Sequence, residues 1–156
     1  MTGMEFAGQM SMGIVLIGAT MGSALGIGAA AKAAAGAWAK EAKAGKPQNF
    51  AYIILTGMPL SQTIYGFILM LVGLSPLVTG DNPLTNVHPG TLLGIGIAGG
   101  IAELTSAWVQ GLIGAAGCRS ISEGEGKGLV FIIISMGIVE TVGLFGFVFL
   151  LLVLPK

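Results

Sequence analysis

Gly137-Ile-Val-Glu140-Thr-Val-Gly-Leu-Phe-Gly146 lies inside a run, residues 129–154, that has no other charged residue. About 20 apolar residues suffice to cross a bilayer as a helix, so this run is long enough to span. Glu140 then falls near the middle of the membrane. An ionised carboxylate there costs a few kcal/mol or more, and such groups usually handle ions or protons. The rest of the chain is read by asking what it supplies to make that carboxylate tolerable.

The composition fits a membrane setting. Only 9% of the 156 residues are charged, 54% are hydrophobic, and 27 are glycine. A soluble domain of this size would carry far more Lys, Glu and Asp on its surface. The formal net charge is zero, which gives no electrostatic case for binding nucleic acid. The lone Cys118 excludes an intrachain disulfide or a cysteine metal cluster, and reads as a small residue near a helix end. The first residues lack a basic segment and the first apolar stretch is full-length, so no cleaved signal peptide is expected.

Working outward from the last run, three more spans are expected, at residues 10–35, 50–78 and 91–117, ahead of the fourth at 129–154. The polar stretches at 37–47 and 119–127 read as hairpin loops. The stretch at 79–89 has turn chemistry and no Lys or Arg. Lys32, Lys40, Lys43, Lys46, Arg119 and Lys127 belong to the two hairpin loops or their helix ends, and only Lys156 falls elsewhere. The bias of basic residues toward the cytoplasm puts both hairpin loops inside the cell and both termini outside. His88 then reads as a solvated residue of the outer connection.

The chain is also a repeat. Displaced by 80 positions, span two falls on span four: Ile53 and Ile54 on Ile133 and Ile134, Gly57 on Gly137, Gly66-Phe67 on Gly146-Phe147. A parallel duplication of one hairpin is expected, with units at 1–80 and 81–156. Leu60 stands where Glu140 stands, so one carboxylate serves two hairpins. Span one carries Gly18, Gly22 and Gly26 at four-residue spacing, and span three carries Ala102, Ser106, Gln110 and Gly114. Such stripes let helix backbones come close. They read equally as contacts within one subunit or as the inner wall of a ring of subunits.

Span two places Met58, Ser61, Gln62 and Tyr65 on one helical face. Pro59 sits mid-span, where it removes a backbone hydrogen bond and bends the helix. A bend frees a carbonyl oxygen as a ligand. Span three offers Gln110, and span four offers Glu140 with Thr141 beside it. A hydroxyl, two amide oxygens, a carboxylate and a carbonyl are all hard donors, which suit hard cations. One carboxylate matches one positive charge, so a monovalent ion leaves the site neutral. A proton needs fewer partners, so this set favours Na+ over H+. Tyr65 can donate to Glu140 and lock it. The plainer reading is that these groups glue helices together by interhelical hydrogen bonds. It suits Ser61, Thr63 and Thr141 taken singly better than it suits Glu140.

Glu103 is also inside a span, seven positions before Gln110 and so about 10 Å away on nearly the same face. It reads either as a second ion station or access-path group, or as a protonated carboxyl hydrogen-bonded to neighbours such as Ser106. The second reading is slightly preferred.

Pro59-Leu-Ser61-Gln62-x-x-Tyr65-Gly66, Gln110-Gly111 followed by Ala115-Ala-Gly117, and Val139-Glu140-Thr141 together resemble the proteolipid (K, or c) subunit of V-type rotary ATPases, most closely the bacterial sodium-pumping kind. The resemblance covers nearly the whole chain. It implies an all-α integral membrane protein of two tandem hairpins that assembles into a homo-oligomeric ring. It implies a Na+ site, with H+ as the alternative, formed by Glu140, Gln62, Gln110, Ser61 and the backbone carbonyl of Met58. Tyr65 would orient the carboxylate, and Glu103 and Thr141 are accessory candidates. Ser61 stands where the family often has Thr, which keeps the oxygen. Glu103 and Thr63 depart from the family pattern. The implied partners are further copies of the chain, a stator subunit that presents an arginine, a central-stalk subunit and membrane lipid. No G-x-x-x-x-G-K-[ST] loop is present, so the chain carries no ATP site of that kind and would be a non-catalytic subunit. Two rivals remain open. A small secondary transporter would exchange protons for a cationic solute at Glu140. A purely structural scaffold would be indifferent to the loss of Glu140.

Overall fold

The computed structural model describes residues 3–79 and 88–155. The 80/81 division, most of the 79–89 connection and Lys156 lie outside them. The described residues form helices α1 (Gly3–Lys43), α2 (Ala51–Gly57), α3 (Ser61–Ile68), α4 (Ser75–Thr79), α5 (Pro89–Glu123) and α6 (Leu129–Leu152). Helices α2 to α4 make one continuous span, Ala51–Thr79. It is interrupted by a tight 3₁₀ turn at Met58–Leu60, where Pro59 withholds its N–H, and by a wider π turn at Leu69–Leu74. Four helical stretches are thus long and apolar enough to cross a membrane.

The helices run past the expected loops. The polar stretch at 37–47 is helical to Lys43, and the one at 119–127 is helical to Glu123. Ala, Lys and Glu are strong helix formers, so polarity there marks the end of the apolar zone and not the end of the helix. Both helices close with the same device. Lys46 N–H bonds to Glu41 O at 3.0 Å and Gly45 N–H to Ala42 O at 3.1 Å, with Gly45 at φ +66°. This is the left-handed cap that glycine favours. At the second hairpin Gly126 N–H bonds to Ile121 O at 2.9 Å, and Glu125 takes the left-handed position at φ 53°. His88 is exposed and caps α5, accepting from Gly90 N–H at 3.2 Å.

Helices α1 and α5 run side by side in the same direction. A Cβ on Gly18 would collide with the backbone of Gly100, one on Gly22 with that of Leu104, and one on Gly26 with that of Ala107. Absent side chains therefore let the two backbones touch, and dispersion over the whole contact replaces the hydrophobic drive that lipid removes. The face of α5 that meets α1 is Gly96, Gly100, Ala107 and Gly111. The stripe read from the sequence, Ala102 to Gly114, looks mainly elsewhere. Ala102 meets Gly146 of α6, and a Cβ on Gly114 would meet Leu55 and Met136 first, with Ala30 of α1 further off at 3.4 Å. Its polar members Ser106 and Gln110 bond to α3 and α6.

Buried apolar side chains form two clusters. One, toward the hairpin loops, contains Tyr52, Leu55, Cys118, Ile121 and Met136. The other, toward the opposite end, contains Val15, Leu69, Leu74, Leu92 and Ile95. Between them lies a layer of buried polar side chains, Ser23, Gln62, Glu103, Ser106 and Gln110. Along the spans the outside is largely apolar, with Ile17, Ile64, Phe67, Ile101, Val142 and Phe149 about half exposed or more. A largely apolar exterior suits lipid or further copies of the chain.

The hairpin end is tied by Glu41. Its Oε1 accepts from the hydroxyl of Tyr52 at 2.6 Å and its Oε2 from Asn49 N–H at 2.9 Å. Trp38 Nε1 donates to Asn49 O at 3.0 Å. Lys46 and Glu125 pair at 3.0 Å across the two hairpins, but both are well exposed. Glu41→Ala leaves the buried Tyr52 hydroxyl without its acceptor and is expected to lower stability by about 2–3 kcal/mol. Glu125→Ala is expected to change it by under about 1 kcal/mol. Thermal unfolding of the two variants in detergent checks the ordering.

Candidate ion-binding site

The polar layer is built from three spans. The 3₁₀ turn after Met58 brings Ser61 and Gln62 inward at the start of α3. Ser61 Oγ lies 3.2 Å from Met58 O and 3.1 Å from Gln62 Oε1. Gln62 is fully buried, and its Nε2 donates to Ser106 Oγ at 3.0 Å and to Gln110 Oε1 at 3.1 Å. Gln110, also fully buried, donates from Nε2 to Met136 O at 3.2 Å and to Glu140 Oε2 at 3.1 Å. The other oxygen, Glu140 Oε1, accepts from the Tyr65 hydroxyl at 3.2 Å. Tyr65 is held in turn by stacking on Phe147, with ring centroids 5.8 Å apart.

Glu140 is thus gripped from both sides and remains partly exposed at the flank of the bundle. Two donors satisfy a carboxylate without neutralising it. Both amides present N–H₂ toward acceptors, and each carries an oxygen on the same group. Turning Gln110 and Gln62 about their last torsions would offer oxygen in place of N–H. Hydroxyl, amide and carbonyl oxygens of Ser61, Gln62, Gln110 and Met58 then stand with the carboxylate as a hard donor set for a small cation.

The structure brings together Glu140, Gln110, Gln62, Ser61, Met58 O and Tyr65. It leaves out Thr141, which is exposed and donates to Ile138 O at 2.6 Å within its own helix. It also corrects the hydrogen bond expected between Glu103 and Ser106. This residue is 1% exposed, and neither carboxyl oxygen has a hydrogen-bond partner among the described residues. Ser106 does not serve it. Its hydroxyl donates to Val139 O at 2.9 Å and accepts from Gln62, so its one proton is already spent. Ser106 is the site member that sequence reasoning missed. The available signal was its position four residues before Gln110 on the same face. Thr63, off the ligand face, bonds to Ser23 Oγ at 2.8 Å and ties span two to α1.

Residues 93–153, which cover α6 and most of α5, match the family model for the C subunit of ATP synthase. Over 151 residues the chain is 30% identical to the K subunit of the A-type ATP synthase of Methanocaldococcus jannaschii, an alignment covering 94% of this chain and 61% of that protein. The chain therefore spans about three fifths of the length of the curated relative it matches. By sequence, then, its last two spans resemble the ATP synthase C subunit, and nearly the whole chain resembles the K subunit of an A-type ATP synthase.

Proposed function

We propose that the chain is an ion-carrying rotor-ring subunit of an A/V-type ATP synthase or ATPase, and that it carries Na+ at Glu140. The observation that bears most weight is the grip on Glu140 by Tyr65 and Gln110, with Gln62 and Ser61 behind them at a proline bend. A carboxylate that only glued helices would need no such second layer of amides. Proline at that point breaks the helix where Met58 O, Ser61 and Gln62 are wanted.

In this reading the chain is two hairpins, 1–80 and 81–156, with the hairpin loops cytoplasmic and both termini outside. Copies assemble into a ring with α1 and α5 on the inner wall and the second and fourth spans outside. Each Glu140 then lies at the ring's outer flank, where a stator protein presents an arginine that displaces the ion as the ring turns. A central stalk links that rotation to ATP chemistry elsewhere in the complex. The ion is cargo. Glu140, Gln62, Gln110, Ser61 and Met58 O hold it, and Tyr65 steadies the carboxylate.

The proton alternative has one observation in its favour: among the described residues Glu140 meets two direct partners, Tyr65 and Gln110, a number that a protonated carboxyl could also satisfy. A secondary transporter for a cationic solute would want an aromatic cage around the carboxylate. The aromatic side chain bonded to Glu140 is Tyr65, through its hydroxyl and not its ring face.

Carbodiimide labelling of the detergent-solubilised protein at mildly acidic pH separates these readings, because the reagent attacks protonated carboxyls in apolar surroundings. The expected result is an adduct on Glu140, located by mass spectrometry, that low-millimolar sodium prevents and potassium does not. Labelling that ignores sodium would make this a proton site. Solute exchange by the purified chain alone in liposomes would favour the transporter.

A further inference from the structure

Among the described residues, Glu103 is the intramembrane carboxyl that the site does not use. It lies on α5 one turn from Ser106, and a Cβ on Gly143 of α6 would come within 3.0 Å of its Oε2 and 2.8 Å of Ser106 Oγ. It is therefore wedged where the fourth span presents only backbone. Its side chain is 1% exposed, and both oxygens are unpartnered among the described residues.

Such a group cannot stay ionised without a counter-charge. The titratable groups on the elements packed nearby are Glu140 on α6, three residues before Gly143, and Tyr65 on α3, and neither is a cation. The first basic residue along α1 is Lys32, ten residues beyond Gly22, which packs at the level of Glu103. Ten helical residues are about 15 Å. The first on α5 is Arg119, further still. A metal cation would need several oxygen ligands, yet the polar side chain beside Glu103, Ser106, already donates to Val139 O and accepts from Gln62. A proton needs one oxygen only.

We propose that Glu103 is a second proton-binding site of the chain, holding a resident proton that is not exchanged when the cation at Glu140 comes and goes. Its role is charge balance. With Glu103 neutral, each copy presents a single negative charge in the polar layer, and a monovalent cation at Glu140 neutralises it. An ionised Glu103 would leave the layer one charge short under the same load. This role rests on the cation-carrying reading of Glu140, whereas the proton on Glu103 does not.

Infrared spectroscopy of the purified full-length protein in lipid at neutral pH tests it, through the carbonyl stretch that only a protonated carboxyl shows. In saturating sodium the wild type is expected to keep one such band, and Glu103→Gln to lose it. Removing sodium is expected to add a second band that Glu140→Gln lacks. If Glu103→Gln only halves the signal in sodium, the proton on Glu103 stands and the sodium reading of Glu140 fails. If the wild type shows no band in sodium, or Glu103→Gln leaves its intensity unchanged, the proposal is overturned. Should Glu103→Gln fail to fold, Glu140→Gln still carries Glu103 and must show the band in sodium; its absence there overturns the proposal equally.

Discussion

Glu140→Gln is expected to weaken sodium binding by more than about 100-fold, which corresponds to roughly 3 kcal/mol. Glutamine is close to isosteric with glutamate and retains an oxygen for Tyr65 or Gln110, so the helices have little reason to move. What is lost is the counter-charge. A cation held mid-membrane by neutral oxygens alone is left uncompensated in low dielectric, and that penalty is several kcal/mol. Equilibrium binding of labelled sodium to the purified protein, alongside its thermal unfolding, reads both quantities. Affinity should collapse while stability shifts by about 1 kcal/mol, the worth of one ordinary hydrogen bond. Tyr65→Phe makes the useful contrast. It keeps the charge and removes one bond to it, a change of about 1.5–3 kcal/mol and so roughly a 10- to 100-fold loss. Equal losses in the two variants would mean that the tyrosine hydroxyl, and not the charge, governs binding. Sodium binding that survives Glu140→Gln would place the ion elsewhere and remove the basis for a rotor protein that loads at this residue.

Much of this site is legible in the sequence because it depends on local geometry. Pro59 fixes a break wherever it falls in a helix, and residues three and four apart share a face, so Met58, Ser61, Gln62 and Tyr65 have to point together. Glu140 announces itself by being the only charge in its run. The parts that escape are those decided by partners far away in the chain. Helix α5 is small on two faces at once. Gly96, Gly100 and Gly111 on one side and Ala102 and Gly114 on the other are equally good candidates for the contact with α1 until the registers are known. Ser106 looks like a neighbour for Glu103 because they are one turn apart, yet its hydroxyl is claimed by Gln62 and Val139 from two other spans. The helix ends are misplaced for a different reason. Apolarity reports where a bilayer stops, and an alanine-rich helix has no cause to stop there.

Gly111→Ala is expected to be the most damaging methyl that can be added at any of the described glycines. A Cβ at Gly111 would land on the Cα, carbonyl carbon and oxygen of Gly26, so nothing in its way is a side chain that can swing aside. The backbones of α1 and α5 would have to part, and the same contact is shared by Gly18 against Gly100 and Gly22 against Leu104. Overpacking usually costs about 1–3 kcal/mol, and an obstacle made of backbone puts this case at about 3 kcal/mol or beyond. Gly137→Ala is the control. Nothing among the described residues lies within 4 Å of its Cβ position, and alanine is the better helix former by up to about 1 kcal/mol. Thermal unfolding in detergent should therefore move in opposite directions for the two variants; similar melting would refute close backbone contact as the source of stability. The effect should also reach the ion. Gln110 immediately precedes Gly111 and, from the same turn of α5, reaches both Gln62 and Glu140. Pushing α5 off α1 moves that amide against the second and fourth spans, so sodium affinity should fall in Gly111→Ala and hold in Gly137→Ala. Tight glycine packing and the proposed cation site are thus two faces of one helix, and a chain that carried an ion at Glu140 would need the first in order to keep the second in register.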